Sequence, residues 1–387
     1  MGKTYKVAIV GCGGIGNSHM EGYNLLDNVE VIAAVDPNPY ARQGYMGQYD
    51  IPKGYSSIED MLETESPDIV SVCAWHLLHA PLTVAAAEAG VPAVICEKPM
   101  AIGMAEADRM VNACEASGTK LAISHQRRFN PGWEKARELI AEGAIGRPIF
   151  AKNRVAEGLA NWGTHSIDGT RFVLGDPMPK WIMGGVERKT DRHERDVPIE
   201  DACIGLVHFD SGLELLIESD LERESASAGY FQITGTEGML DVKETELRLF
   251  NEKTSGWKEI DLELQEGQKA IGGETNAAQI RELIAWLEGG PEHRGSGRQA
   301  SVTVEIMMAI YESARQNSRV TFPLGEKAYP LEKMMSEGKL PVEIEGWYDI
   351  RGFLKCDGID EARYAELLAE GKGHHRIMRE LDKERKK

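Results

Sequence analysis

A group of glycines near the start of the chain is the first pattern that predicts chemistry. Gly11, Gly13 and Gly16 are spaced as GxGxxG directly after a short apolar run at residues 5–10. A helix can follow over residues 17–26, and this strand–turn–helix context is what the dinucleotide fingerprint requires. Gly11 permits the tight turn, Gly13 lets the backbone approach a pyrophosphate, and Gly16 lets helix and strand pack closely.

The residues around this turn indicate which dinucleotide it binds. The helix N-terminus, with Gly14 and Ile15, offers free N–H groups and a positive dipole end to phosphates. A second strand at 29–35 ends at Asp36, 36 − 16 = 20 residues after the last glycine of the turn. A carboxylate there accepts hydrogen bonds from ribose hydroxyls and repels a 2′-phosphate, although Arg42 is a nearby cation. NAD is therefore favoured over NADP; the alternative is that Asp36 is only a turn residue.

The strand and helix signals continue to alternate along the first third of the chain. Helices are predicted at 57–64, 81–89 and 105–116, and strands at 68–74, 93–96 and 121–124. Strands that alternate with helices predict an α/β fold, with a parallel sheet covered by helices on both faces.

Polar residues follow two of these strands. Glu97 and Lys98 come after the strand at 93–96, and Trp75 and His76 after the preceding strand. Ligands of such sheets bind beyond the carboxyl ends of the strands, so Lys98 is expected beside the cofactor and Trp75–His76 at the border of its cleft. Trp75 either presents a flat apolar face to a sugar ring or packs in the core.

The glycine turn, Asp36, His79 and Glu97-Lys98-Pro99 together resemble the glucose–fructose oxidoreductase, inositol dehydrogenase and rhizopine catabolism (Gfo/Idh/MocA) family. The resemblance covers about residues 5 to 325 and includes Arg128-Phe129-Asn130-Pro131 and Gly235-Thr236-Glu237-Gly238. It implies a Rossmann domain followed by an α+β domain built on a large, mostly antiparallel open sheet. Homodimers or homotetramers formed through such sheets are also implied.

The resemblance assigns candidate catalytic residues. The family pattern Asp-x-Gly-x-His matches the chain from Asn161 to His165, so His165 takes the place of the catalytic base. An imidazole with a pKa near 6.5 suits proton exchange with a carbinol, and the Lys98 cation would stabilise developing alkoxide character. Asn161 departs from the pattern because an amide carries no negative charge. Asp168, three residues after His165, either compensates for this or is an ordinary helix acid.

Further substrate-site candidates are weaker. Trp162 could face a sugar ring, and Arg127 is freer than Arg128 to meet substrate, because Arg128 matches a position that is often structural. The basic run at 187–195 would suit a substrate carboxylate, although a solvated loop is the favoured interpretation.

Composition and charge exclude other classes of protein. A net charge of −18 argues against nucleic acid, and no apolar run approaches the roughly 20 residues of a membrane span. The six cysteines, Cys356 among them, form no CxxC pair and no zinc-ligand spacing, so no metal is expected. With no signal-peptide pattern at the start, the expected location is the cytoplasm.

The chain is expected to divide into a Rossmann domain (1–124), a substrate and oligomerisation domain (125–330) and an extension (331–387). The extension either clasps a neighbouring subunit or covers the active site. The leading hypothesis is an NAD-dependent dehydrogenase of a sugar, glycoside or cyclitol carbinol. Alternatives are an NAD-dependent glycoside hydrolase, which oxidises transiently, eliminates and adds water, and a non-catalytic NAD-binding regulator.

Overall fold

The computed structural model describes residues 2–221, 230–262, 264, 271–355, 359–372 and 374–385. Cys356 lies outside these residues.

The N-terminal part of the chain forms one six-stranded parallel sheet. Its strands are β1 (Tyr5–Val10), β2 (Val29–Val35), β3 (Lys53–Tyr55), β4 (Ile69–Val72), β5 (Ala93–Cys96) and β6 (Lys120–Ile123). Their order is β3-β2-β1-β4-β5-β6, with every pair parallel. The helices that follow the strands are α1 (Gly14–Tyr23), α2 (Pro39–Tyr49), α3 (Ile58–Thr64), α4 (His76–Glu88) and α5 (Met104–Ser117). The predicted Rossmann architecture is confirmed.

Two details of this domain differ from the sequence prediction. The segment that forms α2 and β3 was not predicted, although Asn38 caps α2 by accepting the N–H groups of Tyr40 and Ala41. Helix α4 starts at His76 and contains Pro81 in its interior, whereas the prediction started the helix at that proline.

The second sheet has nine strands. They are β7 (Pro148–Val155), β8 (Pro179–Glu187), β11 (Ala202–Phe209), β12 (Glu214–Ser219), β13 (Tyr230–Gly235), β14 (Gly238–Val242), β15 (Leu247–Asn251), β16 (Gly256–Glu259) and β17 (Val320–Thr321). The order is β16-β15-β14-β13-β7-β12-β11-β8-β17, and only β7 and β12 pair in parallel. Three helices pack on the sheet: α6 (Pro131–Ala141), α7 (Thr164–Val173) and α9 (Gly297–Gln316). The mostly antiparallel sheet is as expected.

Helix α8 (Gly273–Leu287) returns to the Rossmann sheet. Its residues Ala277, Ile280 and Leu283 are buried in the same cluster as Val7 and Ile9 of β1. It lies against α1 so closely that a Cβ on Gly22 would come within 2.6 Å of Asn276 Cβ. The range assigned to the second domain therefore supplies one of the layers that cover the first.

The remaining elements form a small third sheet and a helical tail. They are β9 (Thr190–Glu194), β10 (Val197–Pro198), β18 (Ile344–Asp349), α10 (Pro330–Ser336), α11 (Glu361–Ala369) and α12 (His374–Arg385). The run at 187–195 is not a solvated loop, so the favoured interpretation was wrong: Arg188, His193 and Glu194 are all buried. Of the described helices, none is long and apolar enough to cross a membrane.

Candidate active site

The glycine turn packs as its spacing predicted. Gly11 has φ +103°, and a Cβ there would lie 2.5 Å from the carbonyl oxygen of Cys73. A Cβ on Gly16 would lie 2.4 Å from the carbonyl oxygen of Gly11. A Cβ on Gly13, in contrast, would meet no atom within 4 Å. Space thus remains beside Gly13 on this side of the loop.

That space has the donors that a pyrophosphate needs. Helix α1 begins at Gly14 with Ile15 in its first turn, and no side chain caps it. Its first N–H groups therefore remain available to a phosphate, and the positive end of the helix dipole points the same way. The residues present fit a dinucleotide.

Asp36 lies at the end of β2, beside the glycine turn. Its carboxylate accepts the N–H of Cys12 at 2.9 Å and the N–H of Asn38 at 2.9 Å. These bonds fix the carboxylate where a ribose would lie and leave lone pairs on both oxygens for its hydroxyls. The Arg42 guanidinium donates to the carbonyl oxygen of Asp36.

Glu97 is a buried anchor between the cofactor loop and Lys98. Its Oε1 lies 3.0 Å from Nε2 of His19, and its Oε2 accepts the N–H of Lys98 at 3.2 Å. Burial works to raise the pKa of Glu97, but the hydrogen bond and charge of His19 together with Lys98 lower it to about 2. Glu97 is therefore an anion at neutral pH, and it fixes the backbone from which Lys98 projects. His19 is itself buried, so it supports Glu97 from inside the fold.

Lys98 projects from the carboxyl end of β5 toward the second domain. Burial lowers its pKa to about 8, with Arg195 and Arg127 acting in the same direction and Glu97 and Glu194 opposing them. Its Nζ lies 6.0 Å from the centroid of the Trp162 ring. At neutral pH the side chain is still mostly a cation, with N–H donors available to a substrate oxygen.

His165 comes from the first turn of α7 and reaches the same cleft. Its ring centroid is 5.6 Å from that of Trp162 and 6.2 Å from that of His125. Its buried Nδ1 has no hydrogen-bond partner among the described residues. Burial, together with the charges of Arg127, Lys98 and His125, holds the pKa of His165 well below its usual value. The imidazole is therefore neutral at pH 7 and can accept a proton.

The Trp162 ring is a common neighbour of Lys98, His165 and Arg127. The Arg127 guanidinium lies 4.9 Å from its ring centroid and is held by Glu244, whose Oε1 accepts from Nε at 2.8 Å. The indole Nε1 donates to Oε2 of Glu157 at 2.8 Å, and Asn161 Nδ2 donates to the same oxygen at 3.2 Å. The Glu157 carboxylate thus places a negative charge beside Asn161, whose own amide carries none.

Trp75 and His76 follow β4, the strand next to β5 in the sheet. His76 Nε2 contacts Oε2 of Glu194. The other oxygen of Glu194, Oε1, contacts the Arg195 guanidinium. Burial lowers the pKa of His76 although Glu194 opposes the shift. Trp75 packs against a hydrophobic cluster of the C-terminal extension that includes Leu354. The extension therefore contacts its own chain at the cleft.

Asp168 does not face the cleft. It is buried, and its two oxygens accept from Nε and Nη2 of Arg128 at 2.7 and 2.8 Å. Oδ1 also lies 3.4 Å from Nδ1 of His125. The first of the two interpretations of Asp168, that it compensates for Asn161 in the substrate site, is therefore corrected: its carboxylate holds Arg128 in the domain interior. The structural interpretation of Arg128 agrees with this pairing.

The sequence analysis missed three carboxylates, Glu157, Glu194 and Glu244. Glu194 lies in the basic run at 187–195, and the sequence alone did not show that its side chain is buried. Glu244 is 117 residues from Arg127, and no local signal connects them. Among the described residues, no group of three or more His, Cys, Asp or Glu side chains is arranged to hold a metal ion.

Comparison with known proteins places the chain in a family. Residues 5–125 match the model of the oxidoreductase family, NAD-binding Rossmann fold, and residues 158–322 match that family's C-terminal alpha/beta domain. The chain belongs to the Gfo/Idh/MocA oxidoreductase family, as the sequence motifs predicted, and NAD is the cofactor of its first domain.

Two relatives and one solved structure illustrate the similarity. The chain is 26% identical over 362 residues to D-apiose dehydrogenase of Paraburkholderia graminis, covering 87% of this chain and 94% of that protein. It is 23% identical over 265 residues to myo-inositol 2-dehydrogenase of Thermotoga maritima, covering 64% and 79%. The fold matches an oxidoreductase from Agrobacterium radiobacter in complex with NAD+, L-tartaric acid and magnesium, with a TM-score of 0.72, 21% identity and coverage of 82% and 98%.

Proposed function

We propose that the protein is an NAD-dependent dehydrogenase that oxidises a ring carbinol of a sugar, glycoside or cyclitol. The observation that carries the proposal is the grouping of Lys98 and His165 around Trp162, at the carboxyl end of a strand of the cofactor-binding sheet. The named activities of the apiose and inositol dehydrogenases support this substrate class.

The chemistry follows from the charge of each group. When bound, NAD+ would supply the acceptor for a hydride from the carbinol carbon, so a residue of this chain must take the hydroxyl proton. The neutral imidazole of His165 takes that proton, while the Lys98 cation donates a hydrogen bond to the oxygen and stabilises its negative charge. The products are a ketone, NADH and a protonated His165, which returns its proton to water.

The test is a screen of the purified protein with NAD+ against sugars, cyclitols and aryl glycosides. NADH absorbance and aglycone release are followed in the same wells. NADH that rises in step with substrate loss supports the dehydrogenase. Aglycone release without net NADH would favour the glycoside hydrolase instead, an alternative to which the comparisons give no support.

Activity of variants separates the enzyme from a binding-only regulator. Lys98→Met and His165→Ala should each lose nearly all turnover while NAD+ still binds. Full activity in either variant would contradict the role proposed for that residue. A substrate-free NAD sensor would show no turnover in the wild type either.

We also propose that the protein is a homodimer or homotetramer and is located in the cytoplasm. The open face of the nine-stranded sheet carries exposed Phe150, Met183 and Ile204, and burial of such a patch stabilises an interface. The described cysteines are all free and buried, which suits a reducing compartment.

A further inference from the structure

The C-terminal extension reaches the candidate active site through an ordered segment that ends in Arg351. Strand β18 pairs in parallel with β9, with Tyr348 opposite Arg192 and Asp349 opposite His193. Trp347 stacks on His193 with ring centroids 3.6 Å apart. These contacts fix the backbone immediately before Arg351.

Asp349 strengthens this attachment. Its two oxygens accept the N–H groups of Arg195 at 3.1 Å and Asp196 at 2.9 Å, and both of these residues have positive φ. Asp349 also accepts the N–H of Arg351 at 2.8 Å. The Asp349 carboxylate thus connects the turn at Arg195 and Asp196 to the backbone of Arg351.

Arg351 meets Glu157. Its Nη2 lies 2.6 Å from Oε2 of Glu157, the oxygen that also accepts from Trp162 and Asn161. All three hydrogen bonds end on Oε2. Oε1 has no hydrogen-bond partner among the described residues. The Glu157 side chain is 43% exposed while that of Arg351 is 12% exposed. A fixed carboxylate therefore offers one free oxygen to the cleft.

The backbone at Glu157 is held in a conformation that a glutamate rarely adopts. Its φ is +60°, in the left-handed region where the Cβ atom crowds the following carbonyl oxygen. Asp220 compensates by accepting the N–H groups of Glu157 at 2.9 Å and Gly158 at 3.0 Å. Backbone strain of this kind clusters at ligand-binding positions.

We propose that Glu157 is a substrate-binding residue and that Arg351 is its positioning residue. The free Oε1 of Glu157 accepts a hydrogen bond from a substrate hydroxyl near the reacting carbinol. The Arg351 guanidinium holds the carboxylate in place. The indole of Trp162 connects this carboxylate to Lys98 and His165, so a polyol can engage both ends of the cleft at once. This inference rests on the proposed dehydrogenase function and adds a specificity contact to it.

The first test measures steady-state kinetics of Glu157→Gln, Arg351→Met and Arg351→Lys with the best substrate from the screen. Loss of a charge-assisted hydrogen bond is expected to raise KM roughly 10- to 100-fold in Glu157→Gln. Arg351→Met is expected to raise KM as well, and Arg351→Lys to recover part of the loss because it keeps the charge without the fork. The dissociation constant for NAD+ should not change in any of them.

Arg363→Met is the matched control. Arg363 lies in the same extension, on α11, and pairs with Glu366 at the surface. Its replacement should leave KM and kcat unchanged. Thermal unfolding of each variant shows whether it keeps the wild-type fold.

Deoxy substrates distinguish contact from mere structural support. The wild type should lose the same factor on a substrate that lacks the contacted hydroxyl as Glu157→Gln loses on the full substrate. Glu157→Gln should lose little more on that deoxy substrate, because the interaction is already absent. Equal losses on every substrate, or an unchanged KM in Glu157→Gln, would overturn this inference while leaving the dehydrogenase intact. A wild type that reduces no NAD+ with any polyol would overturn the proposed function and this inference with it.

Discussion

Alanine at two glycines of the cofactor turn should separate NAD+ binding from folding. Gly13 has φ −91° and ψ −164°, which alanine adopts freely, and its Cβ would meet no protein atom within 4 Å. Gly13→Ala should therefore fold normally, but its methyl group would occupy the space through which a pyrophosphate approaches the loop. Gly16→Ala should fail earlier, because its Cβ would lie 2.4 Å from a backbone oxygen that cannot rotate away.

The two effects differ in size as well as in kind. Overpacking of a well-packed site costs about 1–3 kcal/mol. For Gly16→Ala this cost falls on the fold, and a protein of 387 residues loses about 1 °C in Tm per kcal/mol. For Gly13→Ala the same cost falls on the complex, which corresponds to a roughly 5- to 150-fold weaker Kd for NAD+.

Titration calorimetry with NAD+ and thermal unfolding without NAD+ measure the two quantities separately. Gly44→Ala is the control, because Gly44 is an exposed position inside α2 and a Cβ there would meet no atom within 4 Å. It should keep its affinity for NAD+ and gain up to about 1 kcal/mol of stability. A Gly13→Ala variant that binds NAD+ as tightly as the wild type would refute the placement of the pyrophosphate.

Three further predictions concern other parts of the molecule. At saturating NAD+, kcat/KM for oxidation should decrease at pH values below the depressed pKa of His165, because protonation removes the base. It should also decrease at pH values above the Lys98 pKa of about 8, because the cation is lost. A decrease at alkaline pH that persists in an active Lys98→Arg variant would contradict the second assignment. Asp168→Asn should lower the free energy of unfolding by about 1–3 kcal/mol, since the buried Arg128 loses one of its two carboxylate partners and keeps Asp176, and an unchanged denaturation midpoint would contradict this. Met183→Glu should reduce the oligomer to a monomer in size-exclusion chromatography with light scattering, whereas an unchanged mass would exclude the open face of the large sheet as the interface.

The features that could be predicted from the sequence are those that depend on residues close together in the chain. The strand, glycine turn and helix that contain Gly11 and Gly16 are neighbours in the chain, so their spacing alone indicated a cofactor loop. Lys98 was predicted to lie beside the cofactor because the carboxyl ends of parallel strands meet at one edge of the sheet. Helix α2 was missed although Asn38-Pro39 is a clear start signal.

What the sequence could not predict depends on distant contacts. Helical spacing left two interpretations of Asp168 open, and its partner Arg128, which decides between them, lies 40 residues away. The contact of Arg351 with Glu157 spans 194 residues and depends on how β18 joins the third sheet. Neither residue belongs to a motif, and their pairing follows only from the folded chain.

Transfer of a labelled hydride is the decisive test of the dehydrogenase reaction. The substrate found in the screen is deuterated at its carbinol carbon and incubated with NAD+ and the wild-type protein, and the reduced cofactor is analysed by mass spectrometry. We expect NADH that carries one deuterium at C4 of the nicotinamide, formed in step with ketone, and no label transfer with Lys98→Met. Substrate turnover that leaves NAD+ oxidised and unlabelled in the wild type would contradict hydride transfer to the cofactor.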